Sequence, residues 1–323
     1  MILATYAADD GKDAVGVVEG DVMFDLAAGA DRAGEDAAPF ASMIALMESG
    51  EAGLDRARSL TQRFAGEDDL TQPLAKASLR SPVPQPAQIR DFMTFPGHIL
   101  NASAGMRTLA ARIQGTPALP SDAKPGSEVP EIYRQQPIYY KANRFSVIGT
   151  DHDVKWPAYS QVMDYELEFG VFIGQGGQDI PLDEAHEHIF GYAIFNDFSA
   201  RDTQMMEMQG RLGPAKGKDF QTGNAIGPWI VTRDEIPDAY ALSMVARVNG
   251  EAWSVGSSAG MLHSFEDIIA FVSRDERLHP GEFLASGTTG GGCGLEQDRY
   301  LSDGDVVELE VERIGVLKNR VLR

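Results

Sequence analysis

A single cysteine, Cys293, stands in 323 residues, so no internal disulfide can form and a reducing compartment suits the chain. It lies among glycines with no base beside it in the chain, which reads as a structural or incidental thiol rather than a nucleophile. Positive charge is scarce. Lys and Arg number 28 against 48 Asp and Glu, a formal net charge of −20, which argues against nucleic acid or an anionic membrane surface as partner. No apolar run approaches the length of a membrane span. The start, Met1-Ile2-Leu3-Ala4-Thr5-Tyr6, has neither a basic segment nor a long apolar core, so no signal peptide is expected and a cytoplasmic location is the default. Repeats and low-complexity tracts are missing as well.

What is there looks like a soluble globular protein, with 43% hydrophobic and 24% charged residues over a length that suits one large domain or two. Residues 1 to about 25 read as short strands joined by tight turns, and 40–48 and 53–64 carry helical spacing broken at Gly50. Ser81-Pro82-Val83-Pro84-Gln85-Pro86 resists helix and ladder alike, which sets the expected boundary between a small amino-terminal domain, 1–80, and a main domain, 81–323. A helix is expected over 98–113, a loop or mobile insertion over 115–130 that could act as a lid, and extended chain over 135–148. Strands dominate from 150 onward. They include a hairpin at Asn249-Gly250, and they are interrupted by a helix whose capping box is Ser264 with Asp267. The class is therefore α+β, mainly β, with a closed or rolled sheet.

Asp164-Tyr165-Glu166-Leu167-Glu168-Phe169 reads as a strand on which Glu166 and Glu168 share a face. Two like charges that close need a cation between them or a shared proton, and oxygen donors favour a hard ion such as Mg²⁺, Mn²⁺ or Ca²⁺. Asp197, at the end of the apolar run Phe190–Phe195, offers a third carboxylate, while Arg201 and Gln204 lie one helical turn apart. Lys218 adds a cation. The glycine-rich run Gly287–Glu296 lacks the Gly-Lys-Ser/Thr ending of a phosphate loop, so it does not read as a nucleotide site. His186 and His188 diverge at i and i+2 on a helix and have no further ligands at spacing, so they read as solvated. His152 and His263 have no assignable role.

Five segments, in this order, resemble the fumarylacetoacetate hydrolase superfamily over roughly residues 88–315. They are Asp91 to His98, Glu166-Leu167-Glu168, Asn196-Asp197-x-Ser199-Ala200-Arg201-Asp202-x-Gln204, Gly217-Lys218-x-Phe220 and Gly287-Thr288-Thr289-Gly290. By that resemblance Asp91, Glu166, Glu168 and Asp197 are the metal carboxylates and His98 the catalytic histidine. The family carries the acid partner of that histidine either three residues after it, where this chain has Asn101, or in a distant Gly-x-x-Leu-Glu context. Gly292-Cys293-Gly294-Leu295-Glu296 matches the latter, which pairs His98 with Glu296. Arg107, Tyr140 and Thr288 match substrate-contacting positions, and Lys218, Gln204 and Arg201 a polar pocket. Two family tyrosines fall at Met93 and Met208, which makes one side of the pocket more apolar.

The resemblance implies a metal-dependent hydrolase that cleaves a C–C bond in an acylpyruvate or related 2,4-diketo acid. A His held by a carboxylate would activate water, Lys218 and Gln204 would face the oxyanion, and Arg107 would grip a substrate carboxylate. It also implies a homodimer. The same site in this superfamily supports hydration, isomerisation or decarboxylation of 2-oxo acids. A non-catalytic binding protein is the third reading, which His98 and Lys218 disfavour because binding needs no base.

Overall fold

The computed structural model describes residues 1–8, 11–117 and 128–323. Most of the expected lid segment 115–130 lies outside the described residues. Among the described residues two large sheets dominate. The larger runs in the order Thr71–Pro73, Val22–Asp25, Asp13–Glu19, Ile2–Ala7, Asn224–Thr232, Ile189–Asp197, Leu167–Ile173, Phe283–Ala285, Ile89–Phe92, Tyr139–Ala142. The smaller runs Glu251–Ser257, Ser243–Val248, Val306–Val311, Gly315–Leu322, Asp153–Lys155. The class is α+β and mainly β as expected. Both sheets have open ends among the described residues, so the closed barrel that was one form of the expectation is not found.

Two apolar layers explain why the central strands are buried on both faces. Phe169, Val171 and Ile173 pack with Tyr192 and Ile194 against Met244, Ala246, Leu309 and Leu317 of the smaller sheet. On the opposite face Phe172, Phe195 and Phe283 pack with Phe40, Met43, Leu46 and Leu54 from the first 80 residues. The alternation along Leu167–Ile173 thus feeds two cores. The first strand, Ile2–Ala7, pairs antiparallel with Asn224–Thr232, with Ile2 opposite Val231 and Leu3 opposite Ile230. The sheet therefore crosses the expected boundary at residue 80 without interruption.

Local readings hold at several points. Ser264 accepts a hydrogen bond from the Asp267 N–H, and the Asp267 side chain accepts from Ser264 in return, capping Phe265–Val272. Asn249 and Gly250 both have positive φ, 53° and 80°, which turns Ser243–Val248 into Glu251–Ser257. Pro96 opens the helix Pro96–Gln114 and Gly115, at φ 65°, closes it. His188 departs from the reading: it is buried, on a short 3₁₀ turn, and its Nδ1 bonds the Gln175 carbonyl at 2.6 Å. His186 is exposed.

Candidate active site

Four neighbouring strands bring their ends to one place. Glu168 pairs with Phe195 in the ladder, so Asp197 lies two residues beyond on the adjacent strand. Asp91 pairs with Ala285 on the other side, and Gly287 and Thr288 follow after Ser286. Glu166 precedes Leu167–Ile173 as a bridge residue opposite Cys293, and its N–H donates to Asn196 Oδ1 at 3.0 Å. Gly287 has φ 81°, and a Cβ there would stand 2.1 Å from the Phe92 carbonyl oxygen, so glycine is required. That conformation turns its N–H onto Glu168 Oε2 at 3.1 Å, and Thr288 Oγ1 donates to Glu168 Oε1 at 3.0 Å.

Asp91, Asp164, Glu166, Glu168 and Asp197 are all buried, and within this cluster they meet two buried cations, Arg201 and Lys218. The Arg201 guanidinium reaches Asp164 Oδ2 at 2.8 Å and Glu166 Oε1 at 2.7 Å. Lys218 Nζ reaches Glu166 Oε2 at 2.7 Å, Asp197 Oδ2 at 2.5 Å and the Asp197 carbonyl at 3.4 Å. Those three contacts occupy all three ammonium N–H donors. Lys218 thus sits as a counter-ion to two of the carboxylates. Gln204 lies one turn from Arg201 and lines the same cavity. Its Oε1 must face Arg201 Nη1, a pure donor 2.9 Å away, which leaves its amide N–H groups for the cavity that it lines.

Burial outweighs all else at Asp91, and the charge of Asp197 adds to it, raising its carboxyl well above the usual range. Burial and the charge of Asp91 do the same to Glu168. Burial would raise Glu166 as well, but Lys218 and Arg201 pull it below its ordinary value. Asp91, Glu166 and Glu168 offer oxygens within 4.8 Å of one another. Buried Asp91 Oδ1 and Asp197 Oδ1 have no hydrogen-bond partner. Crowded oxygens of like charge with unpartnered lone pairs fit a hard divalent cation.

The second half of the site is a histidine pair. His98 Nδ1 lies 2.8 Å from Glu296 Oε1. Glu296 Oε2 accepts from Asn101 Nδ2 at 2.9 Å and from the Gly291 N–H at 2.9 Å. Asn101, which replaces the nearby Glu of the other family form, thus buttresses the distant one. Burial would raise Glu296, but the hydrogen bond and charge of His98 hold it below its usual range. Gly97 and Gly290 meet backbone to backbone, a Cβ on Gly97 falling 3.0 Å from Gly290 Cα, which seats the start of the helix against the loop carrying Glu296.

Cys293 is not remote from a base after all. Its Sγ lies 3.6 Å from Glu296 Oε1 and 3.9 Å from His98 Nδ1. Burial pushes the thiol well up despite Arg201, so it stays neutral and is no nucleophile.

His98, Asp91, Glu166, Glu168, Arg201, Gln204, Lys218, Tyr140 and Thr288 line one cavity of about 620 Å³. Tyr140 donates to Asp197 Oδ2 at 2.5 Å. Three site candidates do not line it: Asp197 and Glu296, which reach it through Lys218 and His98, and Arg107. Nine residues at about 100° each put it half a turn around the helix from His98. Asp164 escaped the sequence reading. Its carboxylate accepts from Arg201 Nε and from the N–H groups of Tyr165, Gly294 and Leu295, which ties Arg201 to the loop that presents Glu296. The signal was its place two residues before Glu166, on the same face of the extended chain.

A fold of two packed sheets with a carboxylate cluster beside a His–Glu pair defines the class. A family model described as Fumarylacetoacetate (FAA) hydrolase C-terminal matches residues 108–322, and the chain belongs to that family. The match begins after Asp91 and His98, so those two rest on geometry. A human mitochondrial oxaloacetate tautomerase is 36% identical over 191 residues, 58% of this chain and 60% of that one, so the chain spans about three fifths of that curated relative's length. The fumarylacetoacetate hydrolase of Exiguobacterium antarcticum superposes with a TM-score of 0.71 at 26% identity, over 100% of this chain and 99% of that one. Maleylpyruvate hydrolase of a Sphingobium strain, solved with manganese(II) and pyruvate, shares the fold at 0.71 and 23% identity, over the same shares.

Proposed function

We propose that the protein is a divalent-metal-dependent hydrolase of acylpyruvates. The observation that carries this reading is the His98–Glu296 pair, buttressed by Asn101 and Gly291, opening onto the same cavity as the carboxylates. Glu296 accepts the Nδ1 proton, which leaves Nε2 as the basic nitrogen. His98 takes a proton from water as the water oxygen attacks the acyl carbonyl carbon. The Gln204 amide donates to the oxygen that becomes negative. The bond between that carbon and the methylene then breaks. The acyl group leaves as a carboxylic acid, the methylene side as the enolate of pyruvate, and the proton on His98 returns to the methylene carbon. Asp91, Glu166, Glu168 and Asp197 would hold Mg²⁺, Mn²⁺ or Ca²⁺, which when bound polarises the dicarbonyl oxygens.

Tautomerisation of a 2-oxo acid is the second reading, favoured by the likeness to the human oxaloacetate tautomerase. It needs His98 only to move a proton between carbon and oxygen, with no attack by water. An ultraviolet assay on a panel of acylpyruvates, with Mg²⁺ or Mn²⁺ and with chelator, separates the two once products are identified by mass. Metal-dependent loss of the diketone band with pyruvate and a carboxylic acid formed is expected. Interconversion of the enol and keto forms of oxaloacetate, with every acylpyruvate left intact, would replace hydrolysis by the second reading.

A further inference from the structure

The two helices that carry polar site residues change character along their length. On Pro96–Gln114, His98 is followed on the same face by Ala102 and Met106, one and two turns further from the carboxylates. On Arg201–Glu207 the polar Arg201 and Gln204 give way to Met205, and Met208 continues the face just beyond. The helices pack against each other. The slot between them therefore begins at the carboxylates and His98 and turns apolar over about 12 Å, the rise of eight helical residues. Met93 and Ile138 close its other side. Met93 and Met208 are the positions where family tyrosines were expected, and both line the cavity.

Charge follows the same gradient. Among the described residues the lysine and arginine side chains lining the cavity are Lys218 and Arg201, and both are engaged by buried carboxylates. Arg107 does not line it. A second carboxylate at the far end of a substrate would meet thioethers and alkyl groups, with Ser103, Tyr133 and Gln209 as neutral polar lining and no cation there among the described residues, and burying an unpaired charge is costly. Flexible, polarisable methionines instead accommodate apolar tails of varied shape.

We infer that the slot selects an uncharged, apolar tail, so that the substrate is a monocarboxylate 2,4-dioxo acid with an alkyl or aryl acyl group and not a dicarboxylate of the fumaryl or maleyl kind. The inference rests on the 2-oxo-acid reading of the site, and binding tests it apart from catalysis. The probes are 2-oxohexanoate and 2-oxoadipate, which differ by a terminal methyl against a carboxylate, titrated calorimetrically into the full chain with Mn²⁺. Tighter binding of 2-oxohexanoate by tenfold or more supports the inference, and equal or tighter binding of 2-oxoadipate overturns it.

In the cleavage assay, kcat/KM should rise about fourfold for each methylene added to the acyl chain, at about 0.8 kcal/mol per buried methylene. Faster cleavage of succinylpyruvate than of pentanoylpyruvate overturns the inference while leaving the hydrolase reading intact. If no acylpyruvate is cleaved but the binding order holds, the slot stands and only the proposed reaction falls. Met208→Lys, at a position 45% exposed and so tolerant of charge, should shift the binding ratio toward 2-oxoadipate by tenfold or more. Met106→Lys tests the same slot deeper in. An unchanged ratio in both variants, each still binding 2-oxohexanoate, overturns the inference.

Discussion

Arg90 and Asp91 are neighbours on one strand, and their side chains enter two different clusters of buried charge. Arg90 meets Glu282, itself buried and accepting the His279 N–H, and Glu276 at the surface. The opposite charges there nearly balance, and the group opens onto no cavity that the site uses. Asp91 meets more carboxylates, keeps one oxygen without a hydrogen-bond partner and faces the cavity. Burial is the same for the two residues. Charge balance is not, and that imbalance distinguishes a structural cluster from one built to receive a cation and a substrate.

The contrast can be broken or sharpened by substitution. The largest effect is expected at the site's base: in His98→Asn, kcat should fall by about 10²–10⁴, while Glu296 stays held by Asn101 and Gly291. Steady-state kinetics beside a melting curve check this, and full activity would remove His98 from the chemistry. Glu282→Gln leaves Arg90 facing one weaker, exposed partner and should cost about 3–5 kcal/mol of stability. Metal binding per folded molecule should not change, as urea unfolding and a metal titration would show.

Asp91→Asn should do the reverse. Relieving like-charge crowding should stabilise the metal-free protein by about 1 kcal/mol. The gain on adding Mn²⁺ at a hundred times its dissociation constant, about 2.7 kcal/mol for the parent, should largely vanish. Melts with metal and with chelator decide it, and an undiminished gain would remove Asp91 from the ligand set.

The smallest effect is a matter of pH. Because Glu296 is held below its ordinary range, its contribution is present above the unfolded carboxylate value and is lost as pH falls through the lower folded one. The stability gap between the parent and Glu296→Gln should be about 1 kcal/mol near neutral pH. It should close under strong acid. A gap constant from neutral pH to acid would mean that His98 and Glu296 are not coupled.

Where a signal was local, the sequence carried it well. Asn249-Gly250, the Ser264–Asp267 box and the period-2 placement of Glu166 and Glu168 each depend on residues a few positions apart, whose geometry backbone sterics largely dictate. The pairing of His98 with Glu296, 198 positions apart, was reached through the resemblance and not through spacing. Arg107 lies half a turn around the helix from His98, because helix phase sets its direction. His188 was misread because its partner, the Gln175 carbonyl, comes from another element, whereas Cys293 is the structural thiol expected, with Glu296 three residues on and His98 brought beside it by the fold.

By itself, then, the sequence determined the class, the kinds of group at the site and the strand ends and helix starts from which they come, because those follow from short-range pattern and composition. Tertiary structure alone decided which charges are balanced, which donors are already taken and how the first 80 residues join the sheet. Lys218 sits as a counter-ion because the fold brings Glu166 and Asp197, 31 positions apart, to its ammonium group together. The first 80 residues became part of one sheet because Ile2–Ala7 satisfies its backbone against Asn224–Thr232. Hydrogen-bond and charge satisfaction are sums over whatever the fold brings near, and no window of the chain contains that sum.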